Sequence, residues 1–368
     1  MPSLRTLLAG GLAFAGLALG LWPAPSPALA WDAPGHRMIT WLALDGLDAS
    51  APAFLRETAV RDAIAWQAAE PDRWRGLRNP YISNATYGNH FIDIEDLEPL
   101  GLTIDTMSPL RYRYVRDMAI GRHEHPAGLD GKSKPYNAKL DPMGQQEWAG
   151  FLLHAICEHQ AILTSQFKTY RILEKLNEPD RAAQLQMSRA NIMATMGVLS
   201  HYVGDGAQPL HTTRHFNGWV GDNPGGYTTA KTFHAYIDGG VIAHHKLNYH
   251  VLKPGQTYAR TAGRDPWNDV LGYVKASFEK VEPLYAMEKK GELTQDAGKT
   301  FITERLHDGA AMLAAMYNAA WAASEPSPQD LADFIKYDGF NPAEAPSAAP
   351  APASAPATVT PPANPSPR

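Results

Sequence analysis

His201 with Asp205, and His234 with Asp238, are two histidine–carboxylate pairs at a spacing of four, and His211 lies between them. On a helix, side chains at i and i+4 sit one turn apart on the same face, so each pair can close on one cation. Imidazole and carboxylate without any thiolate form a donor set suited to a hydrolytic zinc ion rather than a closed structural one. A Gly-rich loop, GDNPGGY, separates the two pairs.

Further ligand-type residues lie upstream. Trp31 and His36 stand in WDAPGH, Asp72 follows Pro71 with Arg75 three residues on, and His90 is followed by Phe91 and Asp93. A single histidine is more often structural than a ligand. Eight ligand-type side chains, His36, Asp72, His90, His201, Asp205, His211, His234 and Asp238, are much harder to explain that way. His123 and His125 read as part of a solvated loop with no third ligand nearby, and His154 with Glu158 as a helix-surface pair or a buried hydrogen bond.

The elements that must carry these residues are helical. Apolar residues at helical spacing follow Trp31, and further helices are expected over APAFLRETAVRDAIAWQAA and PLRYRYVRDMAI. Longer ones are expected over Gln145–Leu176, Pro179–Asp205, Asn268–Lys290 and Leu293–Ser324, with a short one over Gln329–Lys336. Pro71 is read as a stop that leaves its predecessor extended. No period-two run and no internal repeat stand out, so the fold class is mainly α, with a single domain over residues 31–341.

The two ends differ in character. Arg5, the apolar run Leu7–Leu21 and Ala28-Leu29-Ala30 predict a signal peptide over residues 1–30, cleaved before Trp31, and hence an exported protein with no membrane anchor. Residues 342–368 are rich in Pro, Ala and Ser and are expected to form a flexible tail. The lone Cys157 can form no internal disulfide and is expected in the core. A net charge of −5 argues against a broad basic footprint for nucleic acid, so any phosphate must meet a local positive source. Nothing in the chain calls for an obligate protein partner.

Together these residues resemble the zinc-dependent single-strand-specific nucleases, the S-one/P-one type I family, which share an all-α fold with zinc-dependent phospholipase C. The resemblance in motifs runs from Trp31 to about Gly240. It implies three Zn²⁺ in a cleft between helices. Asp72, His90, His201 and Asp205 would hold the first, and His211, His234 and Asp238 the second. The third would take the α-amino nitrogen and carbonyl oxygen of Trp31, His36 and a bridging oxygen of Asp205. A free amine at Trp31 exists only after signal cleavage, so export would complete the site. The implied activity is in-line attack of a zinc-bound hydroxide on phosphorus, oriented by Asp72, giving 5′-phosphate products from single-stranded DNA or RNA, with 3′-nucleotidase activity. Arg75 would neutralise phosphoryl charge, its alternative being an ordinary ion pair. Phe91 and Asp93 would form a base pocket, an aromatic face for stacking and a carboxylate for the base edge.

Two alternatives stay open: a phospholipase C acting on lipid head groups, and a zinc-stabilised binding protein without turnover. The gap of five residues from Trp31 to His36, the gap of twenty-three from His211 to His234, and Asp238 in place of Glu favour the nuclease. The GDNPGGY loop and Gly239 depart from the family pattern.

Overall fold

Pro34 sits in the first turn of helix α1, Ala33–Asp45, where its missing N–H has no helical partner to lose, and Gly46 follows the last turn. Met38, Ile39, Leu42 and Ala43 turn one face of α1 into the core. The computed structural model describes residues 31–129, 131–263 and 265–338; the expected signal peptide and the Pro/Ala-rich tail lie outside the described residues.

Five more helices bring the chain to the next long element. They are α2, Thr58–Gln67, α3, Glu70–Gly76, α4, Pro80–Thr86, α5, Arg111–Glu124, and α6, Leu152–Leu176. Pro71 does not break the chain as expected. It lies in the first turn of α3, and Glu70 begins that helix, because a proline is tolerated where the amide is orphaned anyway. Asp72 and Arg75 therefore share one helical face.

The helix expected from Gln145 begins only at Leu152. The preceding residues are drawn into extended pairing: Phe151 N–H donates to Gly88 O at 2.6 Å, and Ile92 bridges Gly150. Gly150 has φ +111°, and a Cβ there would stand 2.1 Å from Phe91 O, so only glycine allows this approach. Helix propensity beyond Gln145 gives way to that tertiary contact.

Helix α7, Ala182–Ala207, returns along α6 after a short connection. The expected Asn268–Lys290 helix is two helices, Pro266–Phe278 and Val281–Lys289, and the last long one spans Asp296–Ala322. Helices α1, α6, α7 and Asp296–Ala322 pack around the principal core, and the fold is mainly helical, with isolated β-bridges only among the described residues. No described helix is long and apolar enough to cross a membrane. Cys157 is partly buried against this core and free, and burial pushes its thiol up to about 12.

Every residue of α7 from Thr195 to Ala207 is buried. His201 and Asp205 are thus delivered inside the core rather than on a helix surface. Gly204 makes room for this: a Cβ there would lie 2.7 Å from His36 Nδ1.

Candidate metal centre

The eight ligand-type side chains foreseen from the sequence converge. Three groups of ligand atoms, each within 4.8 Å of one another, are His36 with Asp72 and His201, His90 with His201 and Asp205, and His211 with His234 and Asp238. Each group could hold a metal ion.

His201 belongs to two of these groups, and Asp205 reaches a histidine in each of those two. Its Oδ2 lies 3.1 Å from His90 Nδ1 and 3.4 Å from His201 Nε2, while its Oδ1 lies 3.5 Å from His36 Nε2. The two oxygens of one carboxylate therefore face different histidines, the geometry of a bridging ligand. His201 Nε2 stands 3.0 Å from His90 Nδ1 and 3.9 Å from Asp72 Oδ1. The His36 and His201 rings stack at 4.1 Å.

The second set is tighter. His234 Nε2 lies 3.0 Å from His211 Nε2 and 3.1 Å from Asp238 Oδ2. The His234–Asp238 pair is not on a regular α-helix as the spacing suggested: the turn Phe233–Ala235 runs into a π-helical turn, Tyr236–Val241. Such widened turns concentrate at functional sites because they re-aim one side chain without ending the helix. Gly239, a departure from the family pattern, fits this turn, since a Cβ there would lie 2.0 Å from Asp32 Oδ2.

Surrounding groups fix the ring orientations. His201 Nδ1–H donates to Ala68 O at 2.7 Å and His211 Nδ1–H to His90 O at 2.6 Å, which leaves each Nε2 unprotonated and aimed inward. Gln208 donates to Asp238 Oδ1 at 2.7 Å, and Arg75 to Asp72 Oδ1 at 2.7 Å.

Donor chemistry and geometry both fit zinc. Four tetrahedral ligands about 2.0–2.2 Å from zinc stand roughly 3.3–3.6 Å apart, close to the spacing of these atoms. Both nitrogens of His36, His90 Nε2, Asp205 Oδ1 and Asp238 Oδ2 are buried without a hydrogen-bond partner. Each such atom costs about 1–3 kcal/mol when left unsatisfied, and a cation satisfies the inward-facing ones together.

Burial holds His36, His90, His201 and His211 well below the usual imidazole range and brings His234 down to about 3. The rings are thus neutral, the form that binds metal. Burial likewise raises Asp205 and Asp238 well above the carboxylate range, with neighbouring acids adding to it, and raises Asp72 against the pull of Arg75. A bound cation reverses this and ionises them.

Trp31 is fully buried, and its indole N–H donates to Gly204 O at 2.9 Å, next to Asp205 in the chain. Asp32 was not foreseen. Its carboxyl is raised by burial and by Asp72 and lowered by His234, which places a fourth acid beside the cluster. Its only signal in the sequence is its position between Trp31 and His36. Gln208, three residues after Asp205, was equally silent.

A cavity of 590 Å³ opens onto the cluster, lined by His90, His211 and His234 together with Arg75, Phe91 and Asp93. The Phe91–Asp93 segment is held there by Ile92 N–H to His211 O at 2.9 Å and Asp93 N–H to Ala149 O at 2.6 Å. Asp93 is raised well above the carboxylate range by burial, reinforced by Asp96 and Glu95. The GDNPGGY loop lies elsewhere: Tyr227 donates to Glu282 at 2.8 Å, and Gly225 O accepts from Lys289 at 2.6 Å.

Other histidines take no part. His154 Nε2 donates to Ser108 O at 2.9 Å, with the ring lowered by burial to about 4, while Glu158 pairs with Arg111 at 2.6 Å. His123 and His125 belong to no group of metal-ligand type among the described residues. A scan against protein-family models finds no match for the chain, and a search of curated proteins finds none either.

Proposed function

We propose that this protein is an exported zinc-dependent phosphoesterase with three Zn²⁺, cleaving single-stranded DNA or RNA to 5′-phosphate products and acting on 3′-nucleotides. The observation that carries this reading is the shared cavity: Phe91, Asp93 and Arg75 face the same space as His90, His211 and His234. A base stacked on Phe91 would set its own phosphate beside the cluster, and stacking on an unpaired base is worth about 1–3 kcal/mol with little regard to sequence.

Bound zinc supplies activated water at neutral pH and neutralises charge on phosphorus. The protein's own groups do the positioning. Arg75 is held by Asp72 at 2.7 Å and stays near-buried, so its guanidinium is oriented to meet a phosphoryl oxygen. Asp93, whose carboxyl burial raises well above the usual range, lines the cavity beside Phe91, where it can meet a base edge. His201 and His211 keep a fixed arrangement through the Ala68 and His90 carbonyls. The buried indole of Trp31 supports a place for the Trp31 amine in the third zinc set, beside His36 and Asp205.

Purified protein beginning at Trp31 should contain about three zinc ions per chain and degrade single-stranded nucleic acid until chelator is added. Cleavage of lecithin with nucleic acid left intact would replace this reading by the phospholipase one. Zinc without turnover of either would leave a binding protein. A form with residues retained ahead of Trp31 should be much less active, and equal activity removes the Trp31 amine from the site.

A further inference from the structure

A second cavity of 640 Å³ continues from the first, away from the metal cluster. The two share Leu100, Arg122, Ser133, Lys134 and Gln146, so their common wall carries two cations. Beyond this wall the second cavity is lined by His123, His125 and Tyr136. The His-Glu-His segment, which the metal sites leave unused, thus has a place.

Among the charged side chains lining this space, Arg122 and Lys134 stand against one acid, Asp141, with Glu147 acting on Arg122 from nearby. Arg122 is held between two rings, its guanidinium carbon 4.9 Å from the Trp148 centroid and 5.6 Å from that of Tyr136. Stacking of this kind fixes the direction of a guanidinium while leaving its edge for an anion. Lys134 is exposed and faces both cavities. The acid on the far side, Asp141, is already engaged. It accepts from the Gln145 amide at 2.9 Å, the Gln146 amide at 2.8 Å and Tyr136 at 3.0 Å, which holds it below the usual carboxylate range despite burial. On the near side, Asp96 pairs with Arg214 at 2.9 Å.

We propose that the second cavity is a subsite for a further nucleotide of a single-stranded substrate, with Arg122 and Lys134 at its phosphate and Tyr136 and His125 beside its base. The inference rests on the phosphoesterase reading above. A backbone-tracking cationic wall interleaved with rings is the composition that binds single strands without sequence preference. Occupancy depends on substrate length. A dinucleotide has one phosphate, which the metal cluster takes, so nothing remains for Arg122 and Lys134; an octanucleotide supplies further phosphates.

The test compares kcat and KM of the zinc-loaded protein on a thymidine dinucleotide and an eight-residue oligothymidylate. The wild type should favour the octamer by about tenfold or more in kcat/KM, mostly through KM. Lys134→Gln, at an exposed position, and Arg122→Gln should each remove about five- to tenfold of that advantage and leave the dinucleotide within about twofold. The salt dependence of the octamer KM should become shallower, by a slope of about 0.7 for one lost phosphate contact. Equal rates on both lengths, or variants that lose both substrates alike, overturn the subsite while the phosphoesterase reading stands. A wild type that cleaves neither length removes that reading, and the subsite with it.

Discussion

The imidazole of His211 donates from Nδ1 to the carbonyl oxygen of His90 at 2.6 Å, and His211 O in turn accepts from the Ile92 amide at 2.9 Å. A residue of one candidate metal group is therefore oriented by the backbone of a residue in another. The same pair of bonds fixes Phe91, which lies between His90 and Ile92 and faces the cavity. The spacing of the candidate metal groups and the wall of the cavity are set by one short stretch of paired backbone.

Gln208→Ala removes the amide that holds Asp238 Oδ1 at 2.7 Å without touching a ligand atom. Outer-sphere partners of this kind typically affect metal affinity by about 10–100-fold. Titration with a graded chelator should show one zinc released at about tenfold lower chelator concentration, with the others unmoved. Uniform release of all ions would contradict separate sets.

Asp205→Asn should empty two sites, because its two oxygens face different histidines at 3.1 and 3.5 Å. Zinc content should fall by about two equivalents and activity by at least about a hundredfold. His154→Ala should retain full zinc, since that ring is spent on Ser108 O. Loss of zinc from the His154 variant would sink the ligand assignment.

Arg111 reaches Glu158 through two nitrogens, at 2.8 and 2.6 Å, and Asn89 Oδ1 through the third, at 2.9 Å. Asn89 precedes His90, so Arg111 is placed to position a residue of the candidate metal centre. Arg111→Ala should weaken zinc retention by about tenfold. Arg111→Lys should rescue little of it, because a single ammonium cannot serve both partners in that geometry. Full rescue by lysine would reduce the role of Arg111 to charge alone.

The pH dependence of stability should change shape when metal is removed. In the metal-free protein the five buried histidines titrate far below their ordinary 6.5, so the unfolded chain binds more protons as pH falls through that value. Each costs up to about 1.4 kcal/mol of stability per pH unit on that limb. Asp205 and Asp238 act in the opposite sense. Their folded values are raised well above 3.8, so the stability they lend at acid pH is lost as pH rises toward those values. The five histidines outnumber the two acids, so the melting temperature without metal should climb as pH rises to 6.5. Metal binding needs neutral imidazole and ionised carboxylate, so the zinc-loaded protein should melt higher than the metal-free one, by a margin that shrinks as pH falls below 6.5. Melting curves from pH 4 to 9, with and without chelator, measure both; a margin that does not depend on pH would count against metal at these residues.

The residues that gather into groups able to hold a metal were readable from the sequence because such grouping draws on residue type and short spacing. His201 with Asp205, and His234 with Asp238, are local pairs, and helical periodicity around them gave the fold class. Boundaries were less accessible where a distant partner decided them. The helix expected from Gln145 starts at Leu152 because Gly88 and Phe91 claim the preceding backbone, and Pro71 opens a helix rather than ending one. The π-turn that aims Asp238 leaves no mark in the spacing, which remains four in either helix. Asp32, Gln208 and Arg111 were silent for the same reason: their roles arise from groups far along the chain or across the cluster. Only the tertiary structure could turn the two oxygens of Asp205 toward separate histidines, since that geometry requires α1, the His90 segment and α7 to meet in one buried place.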